Sequence, residues 1–259
     1  MIKGLLFCVF IAACAFLARL FSALTLSGAV AASVTGILVY LGFGLKGVLV
    51  LVLFFVTSSF FSKYKKEVKK EAAEKTEKGD CRDWRQVAAN GGIAALAGIG
   101  HFLTGEELWL FIFSVSLACA NADTWASEIG VLSRKPPLSL RTFSNAAPGT
   151  SGAVSGAGTL AAFSGSFLIA AAVYFLFSVS LETAMLIFIF GFLGNVIDSI
   201  IGAYCQALYQ CRVCQKETER LTHCGRKTKK IKGLSVLNND MVNFLSGLSA
   251  AIIGVIFFL

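Results

Sequence analysis

The feature that most constrains this chain is a series of apolar runs, each about 16 to 20 residues long, separated by short turns or by strongly charged segments. A helix needs about 20 predominantly apolar residues to cross the hydrocarbon core of a bilayer. In that medium only helices and closed barrels satisfy their own backbone hydrogen bonds. A transmembrane barrel would alternate polar and apolar residues over segments of about ten, which this chain does not do. The expected fold is all-α: a polytopic transmembrane helical bundle of about eight spans, forming a single integral membrane domain over residues 1–259. Hydropathy places the spans at 4–18, 27–42, 46–62, 87–104, 107–122, 158–178, 184–204 and 241–258. The charged fraction, 15%, is well below the about 25% of ordinary soluble chains. Twenty-five glycines with three prolines fit neither a Pro-rich disordered chain nor collagen.

The first run, with Lys3 ahead of it, resembles a signal peptide. No clean small-x-small cleavage site follows, so it is expected to be kept as a span. With eight spans, Arg19 and the polar segments 63–86, 123–157 and 205–240 fall on one side of the membrane. That side holds 21 of the 23 Lys and Arg residues, leaving Lys3 and Lys46 opposite. By the positive-inside rule the three segments face the cytosol of a cell membrane and both termini face out. The net charge of +8 then marks topology and contact with acidic lipid head groups, and no nucleic-acid partner is expected. The bilayer is the first expected partner; a homo-oligomer is compatible with the sequence but not required by it. The third span is expected to run on as a charged helix past Lys63, with Lys63/Glu67 and Lys70/Glu74 as supporting i, i+4 pairs, either as a solvated extension or as a basic wall that attracts a polyanionic ligand.

Chemistry concentrates at the ends of the spans. In Asn121-Ala-Asp-Thr-Trp-Ala-Ser-Glu-Ile-Gly130, a continuing helix puts Asp123 and Ser127 on one face and Thr124 and Glu128 on another. Carboxylates at a bundle mouth are costly unless paired, hydrated or bound to metal. Magnesium suits them, because it keeps water and bridges a few carboxylates to substrate phosphates. Asp198 lies within the seventh span, with Asn195, Ser199 and Gly191, Gly194 and Gly202 around it. An acid at that depth is by default a functional candidate. The turn Pro148-Gly-Thr-Ser-Gly152 precedes a helix start, where free N–H groups and the helix dipole suit phosphate oxygens. Arg134, Lys135 and Arg141 can supply counter-charge. Two further segments sit at span entrances, Arg82-Asp-Trp-Arg-Gln-Val-Ala-Ala-Asn90 and Asn238-Asn-Asp-Met-Val-Asn243; helix capping accounts for their first polar residues. Asn239 and Asn243 are i, i+4 and can both face the bundle. In the last loop, Cys211-Arg-Val-Cys214 is followed by His223-Cys224, which is either a ribbon-like structural zinc site or a set of free thiols in a basic loop. No Walker A sequence is present.

The blocks at 82–91, 121–130, 148–152, 198–203 and 238–243 resemble one family of integral membrane proteins, whose members include a phytyl-phosphate kinase of tocopherol synthesis and the animal transmembrane protein 19. The likeness covers nearly the whole chain, and its most specific element is Asp-Thr-Trp-Ala-Ser-Glu. More distantly, the order of Asp-x-x-Ala-Ser-x-x-Gly, a basic Pro-Leu-Ser stretch, Arg-Thr and Gly-Thr-Ser-Gly is similar to CTP-dependent dolichol and phytol kinases and to phosphatidate cytidylyltransferases. Those relatives carry Lys-Thr and an acidic Glu-Gly where this chain has Arg141-Thr142 and then Ser-Asn-Ala-Ala before Pro148.

The resemblance implies a CTP-dependent kinase that converts an isoprenoid monophosphate to its diphosphate at the cytosolic membrane face. In that reading Asp123, Glu128 and Asp198 are catalytic and hold Mg²⁺ against the nucleotide. Asn121, Ser127, Arg141, Gly149, Thr150, Ser151, Gly152, Asn239 and Asn243 bind nucleotide or phosphate. The alternative is a transporter or lipid flippase built around the intramembrane Asp198. A third reading is a scaffold that binds acidic lipid through its basic loops.

Overall fold

The computed structural model describes residues 2–73 and 81–259. Residues 74–80 of the first expected polar segment, and with them the Lys70/Glu74 pair, lie outside the described residues. The chain is a polytopic helical bundle. Its helices are α1 (Ile2–Leu20), α2 (Leu26–Lys63), α3 (Lys66–Ala73), α4 (Trp84–Thr104), α5 (Leu108–Gly130), α6 (Gly156–Phe177), α7 (Leu181–Tyr204) and α8 (Asn239–Phe258). Six of them, α2 and α4 to α8, are long and apolar enough to cross a membrane.

At 38 residues, α2 would measure about 57 Å if straight, nearly twice a bilayer core. It is not straight. Gly44 has φ 60° and ψ −154°, a backbone conformation open essentially to glycine alone. The chain folds back there, so that Val39 Cγ1 lies 3.1 Å from where a Cβ on Gly47 would sit. Both ends of α2 consequently meet the same residue. The Thr25 N–H donates to the Arg82 carbonyl at 3.0 Å, while the Arg82 guanidinium donates to Ser59 Oγ at 3.4 Å and covers the Phe55 ring at 5.6 Å. The arms 26–43 and 45–63 each reach about 27–28 Å and correspond to the expected second and third spans. Against the first arm packs α1, with Phe7 stacked on Tyr40 at 4.5 Å and Ile11 filling the space over Gly36.

At the centre stands α5, flanked by α2, α4, α6, α7 and α8, with Phe111, Phe113, Val115, Leu117 and Ala118 buried in the core. The outer surface is apolar instead: Phe102, Phe175 and Ile256 are 62, 78 and 71% exposed, as acyl chains require. Connections at one end of the bundle are short, comprising Gly44, the α4–α5 turn and the α6–α7 turn. Every long polar segment emerges at the other end.

Among the described residues, strands of two to four residues occur only in those polar segments. β1 (Leu138–Ser139) pairs antiparallel with β2 (Ala153–Val154). In the last loop β3 (Leu208–Gln210) lies between β4 (Glu217–Thr218) and β7 (Lys229–Lys232), and β5 (Thr222–His223) pairs with β6 (Arg226–Lys227).

The expected helical extension past Lys63 is corrected. Tyr64 is extended and Lys65 takes φ 50°, so α3 starts anew and folds over the mouth of the bundle. Lys63 Nζ donates to the Phe21 carbonyl at 2.6 Å, and no continuous helix carries a Lys63/Glu67 pair.

Candidate functional site

Small residues on α7 let it press against α5. A Cβ on Gly191 would lie 2.4 Å from Ala118 Cβ, and one on Gly194 would lie 2.3 Å from Cys119 Sγ. One turn further along, Asn195 Nδ2 donates to Asp123 Oδ1 at 3.1 Å, and Asp198 interacts directly with Asp123. From α8, Ser246 Oγ donates to Asp198 Oδ2 at 3.1 Å. Oriented to suit its neighbours, the Asn243 amide nitrogen donates to Asp198 Oδ2 and to the Asn239 carbonyl, both at 3.1 Å. Among the described residues neither aspartate has an ion-pair partner. Two carboxyls brought together in an apolar bundle, with amides and a hydroxyl as their other partners, are costly if both are ionised.

These acids lie in a cavity of about 620 Å³ at the polar end of the bundle. Its walls mix charges: Lys66 and Lys69 from α3, Arg82 ahead of α4 and Arg220 from the last loop line it together with Glu128, Glu219 and Asp240. First-turn residues of three helices also face it, Gln86 of α4, Gly158 of α6 and Asn239 of α8. Each of these helices is capped at its N-terminus, by Asp83, Ser155 and Asn238 respectively. Their positive dipole ends favour an anion there.

The Pro148–Gly152 turn forms another wall. Gly149 and Gly152 have φ 76° and 72°, and a Cβ on Gly152 would lie 2.2 Å from the Ala203 nitrogen. The turn is anchored by Leu140 N–H to the Gly152 carbonyl at 3.1 Å and by Ser151 Oγ to Gln206 Oε1 at 2.6 Å. The N–H groups of Gly149, Ser151 and Gly152 have no acceptor among the described residues, so they are available to phosphate oxygens.

The cavity brings together Asp123, Ser127, Glu128, Asp198, Gly149, Thr150, Ser151, Gly152, Asn239 and Asn243. Glu128 is engaged there with Lys69, which donates to its Oε2 and to the Phe61 carbonyl. Arg141 stands apart, in an adjoining cavity of about 490 Å³ that shares Gly149, Thr150, Ser151 and Glu219 with the first. Lys232 lines that second cavity too. Burial and then the Arg141 charge push its ammonium below the usual lysine range.

Asn121 faces inward, with no exposed surface. Its Oδ1 accepts from Thr57 Oγ1 at 3.2 Å and Ser58 Oγ at 3.3 Å, and its Nδ2 donates to the Gly165 carbonyl at 2.8 Å. It therefore ties α2, α5 and α6 together behind the cavity. Asn121→Ala is expected to destabilise the protein by roughly 1–3 kcal/mol through the polar groups it orphans. Thermal unfolding in detergent should move to lower temperature accordingly.

Lys66, Lys69, Arg82, Gln86, Asn90 and Arg220 also line the cavity; from the sequence the first two belong only to a basic stretch, the next three only to a block of family resemblance, and Arg220 to neither. Gln86 and Asn90 are i, i+4 on α4, while Arg82 lies just ahead of the helix, before its N-cap Asp83.

In the last loop a second cluster forms. One ligand atom from each of Cys211, Cys214, His223 and Cys224 lies within 4.8 Å of all the others. Cys214 Sγ and Cys224 Sγ are 3.5 and 3.3 Å from His223 Nδ1. The Val213 N–H donates to Cys211 Sγ at 3.4 Å. Hydrogen bonds from the Cys214 and Val213 backbone, working against desolvation, bring the Cys211 thiol down to about 6.

Against known proteins, residues 9–251 match the family described as integral membrane protein DUF92. Protein PGR of Arabidopsis thaliana is 34% identical over 221 residues, 76% of this chain and 76% of that protein. An uncharacterized membrane protein of Methanocaldococcus jannaschii is 31% identical over 231 residues, 89% of this chain and 84% of that protein. Protein VTE6, chloroplastic, of Arabidopsis thaliana is 28% identical over 232 residues, 88% of this chain and 63% of that protein. No solved structure matches the chain.

Proposed function

Since the chain belongs to the DUF92 family of integral membrane proteins, we propose that it is a CTP-dependent kinase converting an isoprenoid monophosphate to its diphosphate. The observation that carries this reading is the facing pair Asp123 and Asp198 beneath a cavity walled by Lys66, Lys69 and Arg82. Acids at the base call for a cation, and cations with free N–H groups above them call for phosphates; a metal-bound nucleoside triphosphate meets both. The motif resemblance to a phytyl-phosphate kinase supplies the acceptor class, and the similarity to dolichol and phytol kinases supplies CTP.

The donor set fits Mg²⁺, being hard oxygen with room for water. Asp123 and Asp198 would hold the ion, while Glu128 stays with Lys69 and fixes that ammonium toward the phosphates. Bound there, the ion would neutralise charge on the triphosphate. The N–H groups of Gly149, Ser151 and Gly152 cradle phosphate oxygens, with Thr150 and Ser127 as further hydroxyl partners. Lys66, Lys69 and Arg82 offset the charge that accumulates as two anions are brought together. An acceptor phosphate oxygen attacks the γ-phosphorus, the bond from γ-phosphorus to the β–γ bridging oxygen breaks, and CDP leaves. A monophosphate is already largely a dianion at neutral pH, so this step needs no general base, in keeping with a cavity lined by no histidine among the described residues. The polar end carries the cationic bias, which supports a cytosolic placement of the site and of the nucleotide.

The test is direct. Detergent-purified protein is supplied with a prenyl monophosphate, Mg²⁺ and each of CTP, ATP, GTP and UTP. Prenyl diphosphate and CDP are expected in equal amounts, with CTP preferred and the reaction lost on removing Mg²⁺. No diphosphate with any of the four nucleotides would sink the proposal.

A further inference from the structure

Between α7 and α8 the chain spends residues 205–238 outside the bundle, folded into five short strands. Very few of these residues are buried: Gln206, Ala207, Tyr209, Cys211 and Thr218. Such a segment has too little apolar surface to hold one shape unaided, and small modules in this position are stabilised by a disulfide framework or a metal. The four sulfur and nitrogen ligands come from its two tips. Cys211 and Cys214 flank the turn between β3 and β4, and His223 and Cys224 sit at the turn between β5 and β6.

We propose that Cys211, Cys214, His223 Nδ1 and Cys224 bind one structural zinc ion, and that this ion holds the ribbon which carries Glu219 and Arg220 into the wall of the cavity. Tetrahedral zinc with bonds of about 2.3 Å to sulfur and 2.0–2.1 Å to nitrogen separates neighbouring sulfur and nitrogen ligands by about 3.5 Å. The observed separations of 3.5 and 3.3 Å already meet that requirement. Three soft sulfurs and an imidazole suit zinc and disfavour hard ions such as Mg²⁺ or Ca²⁺. The Val213 N–H aimed at Cys211 Sγ stabilises a thiolate, the form that binds metal. Four ligands close the coordination sphere, so the ion is structural.

Its reach into the main site runs through one chain of contacts. β4 leads directly to Glu219 and Arg220, Glu219 Oε1 accepts from Gln206 Nε2 at 2.8 Å, and Gln206 Oε1 accepts from Ser151 of the Pro148–Gly152 turn. On the far side of the ribbon Lys232 Nζ donates to the Gly202 carbonyl at 2.9 Å, docking β7 on the end of α7. A ribbon loosened by loss of its ion would release the Ser151 side of the turn.

The experiment is elemental analysis of the full-length protein, purified in detergent without chelator. About one zinc per chain is expected, with Cys211→Ser and Cys224→Ser each losing most of it. A second measurement on the wild-type chain guards against variants that fail to fold. After treatment with a strong chelator, Co²⁺ titration should give the absorption of tetrahedral thiolate-bound cobalt at one equivalent, and limited proteolysis should cut within 205–238 faster than before chelation. Stoichiometric iron would overturn the zinc assignment. So would a chain with no metal that takes up no cobalt and keeps its protease resistance in chelator. Metal content is read without any turnover, so it stands or falls separately from the kinase assay.

Discussion

Asp198→Asn is expected to lower prenyl-phosphate kinase turnover by about 10²–10³-fold, the scale of removing one preorganised electrostatic contact at a reacting centre. The amide keeps the shape of the carboxyl and can still accept from Ser246 and Asn243, so the packing of α5, α7 and α8 survives. It also removes one of two facing acids. Thermal unfolding in detergent, without nucleotide, should therefore be unchanged or raised, since like-charge repulsion in the bundle is relieved. Loss of Mg²⁺-dependent nucleotide binding together with retained stability is the signature expected of a metal-holding acid. If the variant unfolds at lower temperature and its residual folded fraction turns over normally, the pair is structural and the proposed site is wrong.

The second large effect is at the phosphate-facing turn. Gly152→Ala would force a side chain into the left-handed region, at about 1–2 kcal/mol, and would set a Cβ 2.2 Å from the Ala203 backbone nitrogen. Backbone cannot give way as a flexible side chain does, so overpacking adds about 1–3 kcal/mol. The turn is expected to lift from the end of α7, carrying the N–H groups of Ser151 and Gly152 out of register. Melting temperature should fall and the KM for nucleotide should rise together. Gly156→Ala, four residues on at the start of α6 with nothing within 4 Å of the added methyl, is the matched control and should leave both nearly unchanged. Equal behaviour of the two variants would count against a fitted turn.

How much of this could be read from the chain varies with the contrast of each residue against its surroundings. The spans are legible because an apolar run reports on the bilayer with little help from tertiary context, and even the folded-back α2 shows as two runs. Asp123 and Asp198 stand out because acids are rare among apolar neighbours. Lys66 and Lys69 have no such contrast, since they sit in a stretch that is basic throughout, and only the break at Tyr64 and Lys65 turns α3 toward the cavity. Arg220 is placed by strands of two residues, too short to leave a periodic pattern. Asn121 shows the opposite failure. Its residue type matches a binding role, but Thr57 and Ser58 on the second arm of α2 draw it inward, a pairing across 63 or more positions that no local pattern encodes.

The lopsided placement of loops bears on how such a protein enters a membrane. At the short-turn end the connections are the reversal at Gly44 and the turns around Gly105 and Ser178, each flanked by apolar helices. The spans can thus insert as helical hairpins, two at a time, with almost no polar chain to carry through the hydrocarbon. Lys46 and the acids beside Gly105, Glu106 and Glu107, are among the few charges at that end. The ribbon, the Pro148–Gly152 turn and the basic α3 share the opposite end of the bundle, so all of them lie on one side of the membrane. A bundle so arranged completes its cavity from one side of the membrane, and under the proposed function a substrate whose tail lies in the adjacent leaflet meets it there.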